Sequence, residues 1–350
     1  MLFAIPSHDT LYQALVARDQ RFDGQAYVCV STTGVFCRIT CPARKPNAVN
    51  CTFFGTIREC IEAGFRACKR CHPLTPAATA DPSVSQLLAA LDNNPQKRWS
   101  EQHIANMGYD LSTVRRAFKR QFGMTFLEMA RQRRLREGFE SLSEGAKVIT
   151  AQHDANFSSA SAFRRAFAKL LGCPPATLHK KGLLLANWIA TPLGDMIAVS
   201  SATHLHLLEF VDRKALPMEL AKLRKACNDD LGLGSYDPTE QIRVELHAFF
   251  AGEKAVFNTP LALQGSSFTR EVWQELRTIP VGQIRSYSDI AKRIGHPTAV
   301  RAVARANGAN QIALVIPCHR VVGADGSLTG YGGGLWRKQR LIEIEQQFGN

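Results

Sequence analysis

The chain has 350 residues, of which 45% are hydrophobic, 21% charged and 8% aromatic, and this composition excludes a disordered or fibrous protein. No run approaches the ~20 consecutive apolar residues that a membrane-spanning helix needs. The first residues lack the basic start, apolar stretch and cleavage site of a secretory signal, which predicts a cytoplasmic protein with reduced cysteines.

The formal net charge is +13, and residues 1–182 hold most of the excess, with 25 Lys and Arg residues against 14 Asp and Glu residues. A basic half of this kind favours a polyanionic partner, and double-stranded DNA is the first candidate. Anionic membrane is the rival, but no basic amphipathic helix with a bulky apolar face stands out. The charge pattern therefore favours DNA and no membrane contact.

Seven of the ten cysteines lie between residues 29 and 71. Cys37 and Cys41 form a C-x3-C pair, Cys68 and Cys71 form a C-x2-C pair, and 26 residues separate the pairs. Two such pairs suit tetrahedral coordination by four thiolates, so we predict one zinc ion here, with iron as the alternative metal. The other cysteines of this segment are predicted to be core residues: Cys29, Cys51 and Cys60.

A four-thiolate zinc site can do more than hold a small fold together. Zinc keeps each sulfur ionised at neutral pH, so an exposed member of the set is a nucleophile. An alkyl group on one sulfur makes a neutral thioether, and the charge of the site drops from about −2 to about −1. This change weakens the repulsion of nearby phosphates. Basic residues flank the site: Arg38, Arg44, Lys45, Arg66, Lys69 and Arg70.

The stretch from 84 to 181 contains a weak internal repeat. "IANMGYDLSTVRRAFKRQFGMT" (104–125) and "ITAQHDANFSSASAFRRAFAKLLGCPP" (149–175) each run from a short helix, through a turn, into a helix with R-R-A-F. Gly108 marks the first turn, and Ser112 and either Ser158 or Ser159 are the predicted N-caps of the second helices. "FLEMARQRRLREGFESL" predicts a long basic helix between the copies.

Such pairs of helices are typical of helix-turn-helix units, whose second helix enters the major groove. The alternative is a surface helical hairpin with solvated arginines, and the repetition within the basic half favours DNA binding. The arginines predicted to contact DNA are Arg115, Arg116, Arg164 and Arg165.

Strand patterns begin after residue 182. "NWIATPLGDMIAVSSATHLHLLEFV" predicts a β-meander with a turn at Pro192–Gly194, and "PTEQIRVELHAFFAGE" and "SFTREVWQELRTIPVG" predict amphipathic helices. "SYSDIAKRIGHPTAVRAVARANGAN" predicts another helix-turn-helix unit whose second helix begins at Thr298. The apolar stretch "ALVIP" then predicts a strand that ends at Cys318.

Cys318 stands before a histidine in "VIPCHRVVG". A lone cysteine after an apolar strand is usually a buried core thiol. A nucleophile needs a base nearby, and neighbouring residues on a strand point to opposite faces. Cys318 and His319 can therefore cooperate only if the chain turns there or a water molecule bridges them.

Three segments resemble the parts of the Ada family. "STTGVFCRITCPARKP" and "EAGFRACKRCHP" resemble its zinc domain, the basic repeat resembles tandem AraC-type domains, and "AVRAVARANGANQIALVIPCHRVVGADGSLTGYGGG" resembles O6-methylguanine-DNA alkyltransferases. The resemblance covers essentially the whole chain and implies a multidomain α+β fold. The implied parts are a zinc domain, a linker, an all-α tandem helix-turn-helix domain, an α/β N-terminal subdomain and a winged-helix-like alkyltransferase domain, at 1–76, 77–83, 84–181, 182–265 and 266–350.

The resemblance also implies irreversible, single-turnover methyl transfer to cysteine, with zinc held by Cys37, Cys41, Cys68 and Cys71. Cys37 would accept a methyl group from a DNA methylphosphotriester, and Cys318 would accept one from O6-methylguanine or O4-methylthymine. His319 would activate Cys318 through a water molecule, Glu345 would orient His319, and Asn310 would hold the active-site turn.

Several further residues are implied to contact DNA or the damaged base. Arg301 would fill the gap left by the flipped nucleotide, and Tyr287 would press on the adjacent phosphate. Tyr331 would contact the extruded base, with Lys338 near its leaving-group side. In the zinc domain, the expected DNA contacts are Arg44, Lys45 and Arg70.

Methylation of Cys37 would, by the same resemblance, convert a monomeric, nucleoid-associated protein into an activator that binds specific promoters and RNA polymerase. The first rival is an alkylation-sensing transcription regulator with little repair activity. The second is a zinc-stabilised DNA-binding protein that only scans for lesions. The three interpretations predict two, one and no transferred methyl groups.

The sequence departs from the family patterns at three positions. Phe126 stands where the AraC pattern usually has proline, and Asn156 stands at the usual glycine of the second unit. Gly332 replaces a larger side chain that often follows the base-contacting tyrosine.

Overall fold

The computed structural model of the protein describes residues 6–19, 22–23, 26–55, 57–71, 73, 82–326 and 328–349. Residues 77–81 of the predicted linker lie outside these ranges, and its last two residues belong to the helix that follows. Within the described ranges, none of the helices has both the length and the apolar content needed to cross a bilayer.

The first part of the chain is a small four-stranded sheet flanked by helices. Its elements are α1 (His8–Ala17), β1 (Tyr27–Val30), β2 (Val35–Arg38), β3 (Cys51–Phe54), α2 (Ile57–Glu62) and β4 (Arg66–Ala67). The strand order is β3-β1-β2-β4, with β4 parallel to β2. Alternate strand residues face opposite sides, so Cys37 and Cys29 lie on different faces. The prediction that Cys29, Cys51 and Cys60 are core residues is confirmed, since all three are buried.

The next part is all-α, as predicted. Its helices are α3 (Pro82–Asn93), α4 (Glu101–Asn106), α5 (Leu111–Phe122), α6 (Phe126–Glu144), α7 (Val148–Asp154) and α8 (Ala160–Leu171). The pairs α4–α5 and α7–α8 form the two helix-turn-helix units, and α6 is the long connecting helix. Ser159 caps α8 as predicted. The prediction of Ser112 as a cap is wrong: Asp110 caps α5, because its carboxylate accepts the backbone N–H of Thr113 at 2.8 Å.

Both departures in this helical part fit the fold. Phe126 is the first residue of α6, where no intrahelical acceptor is needed for its N–H. Its buried ring packs edge-on against Trp99 and Phe118, with centroids 5.0 and 5.3 Å away. Asn156 has φ of +49°, a left-handed conformation that asparagine tolerates better than most residues. The family glycine is therefore replaced without loss of the turn.

A second four-stranded sheet follows, in the order β7-β6-β5-β8. Its elements are β5 (Leu184–Ile189), β6 (Met196–Ser200), β7 (Leu205–Phe210), α9 (Leu216–Ala226), β8 (Leu231–Leu233) and α10 (Asp237–Phe250). The predicted β-meander is confirmed, since β5, β6 and β7 pair antiparallel in sequence order. Strand β8 then adds in parallel to β5.

The last part is mainly helical. It contains α11 (Ser267–Arg277), β9 (Arg285–Ser286), α12 (Tyr287–Arg293), α13 (Val300–Gly308), β10 (Val321–Val322) and α14 (Leu335–Gln346). Helices α12 and α13 form the predicted helix-turn-helix unit, although α13 begins at Val300 and not at Thr298.

The predicted "ALVIP" strand is wrong. These residues form a tight turn in which Leu314 has φ of +68° and the Ile316 N–H donates to the Ile312 carbonyl at 3.0 Å. The Asn310 side chain bonds both the Ile312 N–H and the Ile316 carbonyl, so these groups are not available to a neighbouring strand. A single 3-10 turn then holds Cys318, His319 and Arg320.

The second helix-turn-helix unit shares one hydrophobic core with the following sheet. Phe139 of α6 packs edge-on against Trp188 of β5, with ring centroids 5.5 Å apart. Leu171 of α8 and Leu216 of α9 belong to the same buried cluster. The first unit has its own core around Phe118. The helical part and the second sheet therefore form a continuous body through α6 and α8.

We expect Phe139→Ala to destabilise both the helical part and the second sheet, because the cavity opens at their shared core. The expected loss is about 3–5 kcal/mol of unfolding free energy. Urea unfolding followed by helical circular dichroism and by tryptophan fluorescence would measure it. Phe118→Ala is the matched control, since this buried ring lies in the separate core of the first unit. A sheet that unfolds at an unchanged urea concentration in Phe139→Ala would contradict the shared core.

Candidate functional sites

The two cysteine pairs meet beside the first sheet. Cys37 lies on β2, and Cys68 directly follows β4, whose parallel pairing with β2 continues in a hydrogen bond from the Cys68 N–H to the Phe36 carbonyl at 3.0 Å. Cys41 and Cys71 lie in the turns that follow. All four Sγ atoms lie within 4.8 Å of one another, and the Sγ atoms of Cys41 and Cys68 are 4.0 Å apart. Tetrahedral zinc with Zn–S bonds of about 2.3 Å needs sulfurs about 3.8 Å apart, so the four residues fit one zinc ion.

The four sulfurs differ in their hydrogen bonds. The backbone N–H groups of Arg38 and Arg70 donate to the sulfurs of Cys71 and Cys68, each at 3.4 Å. Contacts with the Cys37 and Cys71 thiols, and with the Ala43 N–H, lower the pKa of Cys41. Within the described part of the chain, no backbone N–H donates to Cys37. A hydrogen bond to a thiolate stabilises its lone pairs and lowers its reactivity. Among the described residues, Cys37 therefore has the least support from backbone N–H groups, although Cys71 is the most exposed of the four.

The basic residues around this site separate into two groups. Arg38 is buried, and its Nε donates to the Cys71 carbonyl at 3.2 Å, so it supports the metal-binding turn. Lys45 is half-buried and donates to the Cys41 carbonyl at 3.4 Å. Arg44 and Arg70 are exposed. Of the three predicted DNA contacts, Arg44 and Arg70 are therefore free at the surface and Lys45 braces the site.

The predicted arginines of the helix-turn-helix units all face outward. Arg115 and Arg116 on α5, and Arg164 and Arg165 on α8, are exposed, while phenylalanine and alanine residues of the same helices are buried. Arg115 also forms an ion pair with Glu101 at 2.9 Å. Both second helices thus present a basic face that matches the backbone of DNA.

Cys318 lies under the turn that replaces the predicted strand. The Asn310 Nδ2 donates to the Cys318 Sγ at 3.0 Å and to the Ile316 carbonyl at 2.9 Å. Only 6% of Cys318 is exposed. Burial raises the pKa of the Cys318 thiol to about 11, while the Asn310 amide and the charges of Arg213 and Lys338 oppose this rise. The resting thiol is therefore protonated at neutral pH and needs a base.

His319 belongs to a buried ionic cluster. Its Nε2 is 2.8 Å from the Glu345 Oε1, and Arg320 bonds both oxygens of the same carboxylate at 2.8 Å. Although burial opposes ionisation, His319 and Arg320 lower the pKa of Glu345 to about 2. Among the described residues, the His319 Nδ1 has no partner and no direct hydrogen bond joins His319 to Cys318. The free Nδ1 can therefore serve a bridging water molecule.

The remaining predicted residues surround this cluster at different depths. Arg301 is exposed on α13. The Tyr287 hydroxyl donates to the Thr329 carbonyl at 3.3 Å, whereas the buried Tyr331 hydroxyl has no partner among the described residues. Lys338 is fully buried and donates to the carbonyls of Val321 and Thr329, so it braces the segment that leads to Tyr331. Burial lowers the pKa of Lys338 to about 8.

Sequence reasoning missed three residues near Cys318. Arg320 was visible as the last letter of the C-H-R motif, but its bond to Glu345 was not. Asn307 is buried on α13, and its side chain donates to the Cys318 carbonyl at 3.4 Å. Arg213 reaches the active-site turn from the preceding sheet and carried no motif.

Comparison with known proteins identifies three regions of the chain. Residues 10–73 match the metal binding domain of Ada, residues 104–181 match a helix-turn-helix domain, and residues 267–347 match the 6-O-methylguanine DNA methyltransferase DNA binding domain. The regulatory protein ada of Salmonella typhimurium is 34% identical, over 97% of each chain.

Two further relatives show how the similarity is divided along the chain. The bifunctional transcriptional activator/DNA repair enzyme Ada of Escherichia coli is 34% identical over 97% of this chain and 96% of its own. A methylated-DNA–protein-cysteine methyltransferase of Mycolicibacterium paratuberculosis is 58% identical over 103 residues, which are 29% of this chain and 62% of its own.

Proposed function

Because the chain belongs to the Ada family, we propose that it repairs alkylated DNA by irreversible methyl transfer to its own Cys37 and Cys318. It would act as a methylated-DNA–[protein]-cysteine S-methyltransferase, one turnover per cysteine. The observation that carries this proposal is the arrangement around Cys318. A buried thiol bonded to Asn310 lies next to a histidine whose Nε2 is bonded to Glu345, and Arg320 binds the same carboxylate. This is the set of groups that thiolate chemistry requires.

Transfer to Cys318 begins with extrusion of O6-methylguanine or O4-methylthymine from the base stack. Arg301, exposed on α13, would fill the gap, and the free Tyr331 hydroxyl is available to the flipped base. A water molecule would carry the Cys318 proton to the His319 Nδ1, and Glu345 would stabilise the imidazolium. The sulfur–methyl bond forms as the methyl–O6 bond breaks. The electron pair stays on guanine, which takes up the proton from His319.

Transfer to Cys37 would repair the DNA backbone. Zinc, when bound by the four cysteines, keeps their sulfurs ionised at neutral pH. The absence of a backbone N–H donor to Cys37 among the described residues supports this sulfur as the acceptor. The sulfur–methyl bond forms as the bond between methyl carbon and phosphotriester oxygen breaks. The electron pair stays on the phosphate, which becomes an ordinary diester anion.

The same reaction would change DNA affinity. A thioether at Cys37 lowers the negative charge of the site from about −2 to about −1, next to the exposed Arg44 and Arg70. The two basic faces on α5 and α8 would then read specific promoters, and the methylated protein would activate alkylation-repair genes. We extend the proposal to a nucleoid-associated monomer that contacts RNA polymerase. The domain bounds 1–76, 84–181, 182–265 and 266–350 belong to the same proposal.

Methyl counting tests the repair reaction. DNA with labelled methylphosphotriesters and O6-methylguanine would be incubated with the full chain, and peptides would be examined by mass spectrometry. We expect two methyl groups per chain, one on Cys37 and one on Cys318. Trypsin separates the Cys37 and Cys71 peptides, so methyl on Cys71 would refute the acceptor assignment. Methyl on Cys37 alone would indicate an alkylation-sensing regulator, and methyl on neither would refute repair.

A further inference from the structure

Arg213 links the second sheet to the turn that holds Cys318. It lies between β7 and α9, and its side chain is 8% exposed. The guanidinium Nη1 donates to the Asn310 carbonyl at 2.7 Å, and Nη2 donates to the Gly308 carbonyl at 2.9 Å. Gly308 is the last residue of α13, so Arg213 satisfies a carbonyl at the negative end of that helix. These bonds span more than 90 residues of sequence.

Two buried carboxylates hold Arg213 in this position. Glu209 on β7 bonds Nη1 and also accepts the Phe210 N–H at 2.9 Å, and Glu219 on α9 lies 3.2 Å from Nη2. Glu209 is 1% exposed and Glu219 is 6% exposed. Buried charges of this kind are costly unless they are paired, so the three side chains depend on one another. Arg213 is therefore fixed before any substrate binds.

We propose that Arg213 is a positioning residue for methyl transfer to Cys318, which orients Asn310 against the thiol and brings a fixed positive charge to the active-site turn. The proposal rests on the proposed methyl transfer to Cys318. The path is short, because Arg213 bonds the backbone of Asn310 and the side chain of Asn310 bonds Cys318 at 3.0 Å. A misplaced Asn310 would move both the sulfur and the turn around it.

Gly332 gives independent support, because it lies directly against the guanidinium. A Cβ atom at this position would lie 3.0 Å from the Arg213 Cζ and Nε. Contacts this short would require the guanidinium to shift by a few tenths of an ångström. The small residue after Tyr331 thus leaves the space that Arg213 occupies. This accounts physically for the departure from the larger side chain of the family pattern.

The charges that act on Cys318 come from several elements. Arg213 and Lys338 favour the thiolate and so lower the pKa of Cys318, whereas Glu209 raises it. Tyr331 and Tyr287 also interact electrostatically with Cys318. Burial raises the pKa of Glu209 to about 7, so ionisation of that carboxyl contributes to the pH dependence of Cys318 reactivity. Loss of the Arg213 charge should therefore shift Cys318 reactivity toward higher pH.

The test compares Arg213→Met, which removes charge and hydrogen bonds, with Arg213→Lys, which keeps the charge alone. We expect Arg213→Met to slow transfer from an O6-methylguanine oligonucleotide to Cys318 by about 100-fold, as for a misplaced reacting group. The pH midpoint of Cys318 alkylation by iodoacetamide should rise. Arg213→Lys should keep the midpoint near that of the wild type and still slow transfer. Arg224→Met is the matched control, since Arg224 on α9 pairs with the exposed Asp229.

Gly332→Ala extends the test to the contact itself. It should slow transfer in the wild-type background and cause no further loss in Arg213→Met, because the displaced guanidinium is already absent. The effect of Gly332→Ala in the wild-type background still carries the test if Arg213→Met folds poorly. A wild-type rate of methyl transfer and a wild-type pH midpoint of alkylation in Arg213→Met would overturn the inference. An equal slowing of methyl transfer by Gly332→Ala in both backgrounds would also overturn it. Failure of the wild type to methylate Cys318 would instead refute the proposed function.

Discussion

Replacement of Cys41 by serine is expected to abolish stoichiometric zinc binding, unfold the first sheet and prevent methyl transfer to Cys37. Zinc binding supplies much of the folding free energy of small zinc domains. The apparent free energy of zinc binding to zinc-finger peptides is about 10–16 kcal/mol. The first sheet has few sources of stability other than the metal, because its buried clusters are small and three of the four zinc cysteines are part of its core. Loss of one thiolate ligand therefore removes both the metal and the core.

Cys51→Ser is the matched control for this experiment. Cys51 is buried in the same sheet, but its thiol bonds the Asn47 carbonyl at 3.3 Å and lies outside the four-sulfur cluster. We expect this variant to keep one zinc per chain. The measurements are metal content by mass spectrometry and methyl transfer to each cysteine. Transfer to Cys318 should persist in Cys41→Ser, and its loss would contradict two separate sites.

Replacement of Glu345 by glutamine is expected to slow methyl transfer to Cys318 by about 10²–10⁴-fold, the range for loss of acid–base assistance. The amide cannot stabilise a protonated His319, and it leaves the buried Arg320 without its carboxylate. Breaking a buried ion pair by removal of one partner costs about 3–5 kcal/mol, so the free energy of unfolding should fall as well.

The free energy of unfolding of the wild type at acid pH should also depend on the ionised Glu345. The pKa of Glu345 is lowered from 4.5 to about 2 by His319 and Arg320 despite its burial. A lowered pKa stabilises the folded state above about pH 4.5, and this contribution is lost as the pH falls toward 2. Urea unfolding between pH 7 and pH 3 should therefore show a smaller loss of stability in Glu345→Gln than in the wild type.

Glu343→Gln is the matched control on the same helix. Glu343 pairs with Arg340 at 2.8 Å, and both side chains are 37% exposed. An exposed pair contributes about 0–1 kcal/mol, so this variant should keep its stability and its rate of methyl transfer. An equal loss in the two variants would show that helix α14 responds to any lost charge and that the Glu345 cluster has no special role.

The local patterns of the sequence were sufficient for much of this protein. The spacing of Cys37, Cys41, Cys68 and Cys71 predicted the metal site, because two short loops can each clip one edge of a tetrahedron. The repeated R-R-A-F segments predicted two helix-turn-helix units, and the alternation around 187–211 predicted the meander. The C-H-R motif singled out Cys318. Each of these features is built from short local segments, where chain geometry relates spacing directly to structure.

The tertiary structure alone decided which distant groups meet. The apolar run predicted a strand at "ALVIP", but the chain turns at Leu314, and the Asn310 side chain bonds the Ile312 N–H and the Ile316 carbonyl. The Arg320–Glu345 pair, the link from Arg213 to Asn310 and the contact of Phe139 with Trp188 left no local signal. Their free energy comes from burial and charge pairing between elements far apart in sequence. Such partners are selected by packing in three dimensions, so spacing along the chain cannot identify them.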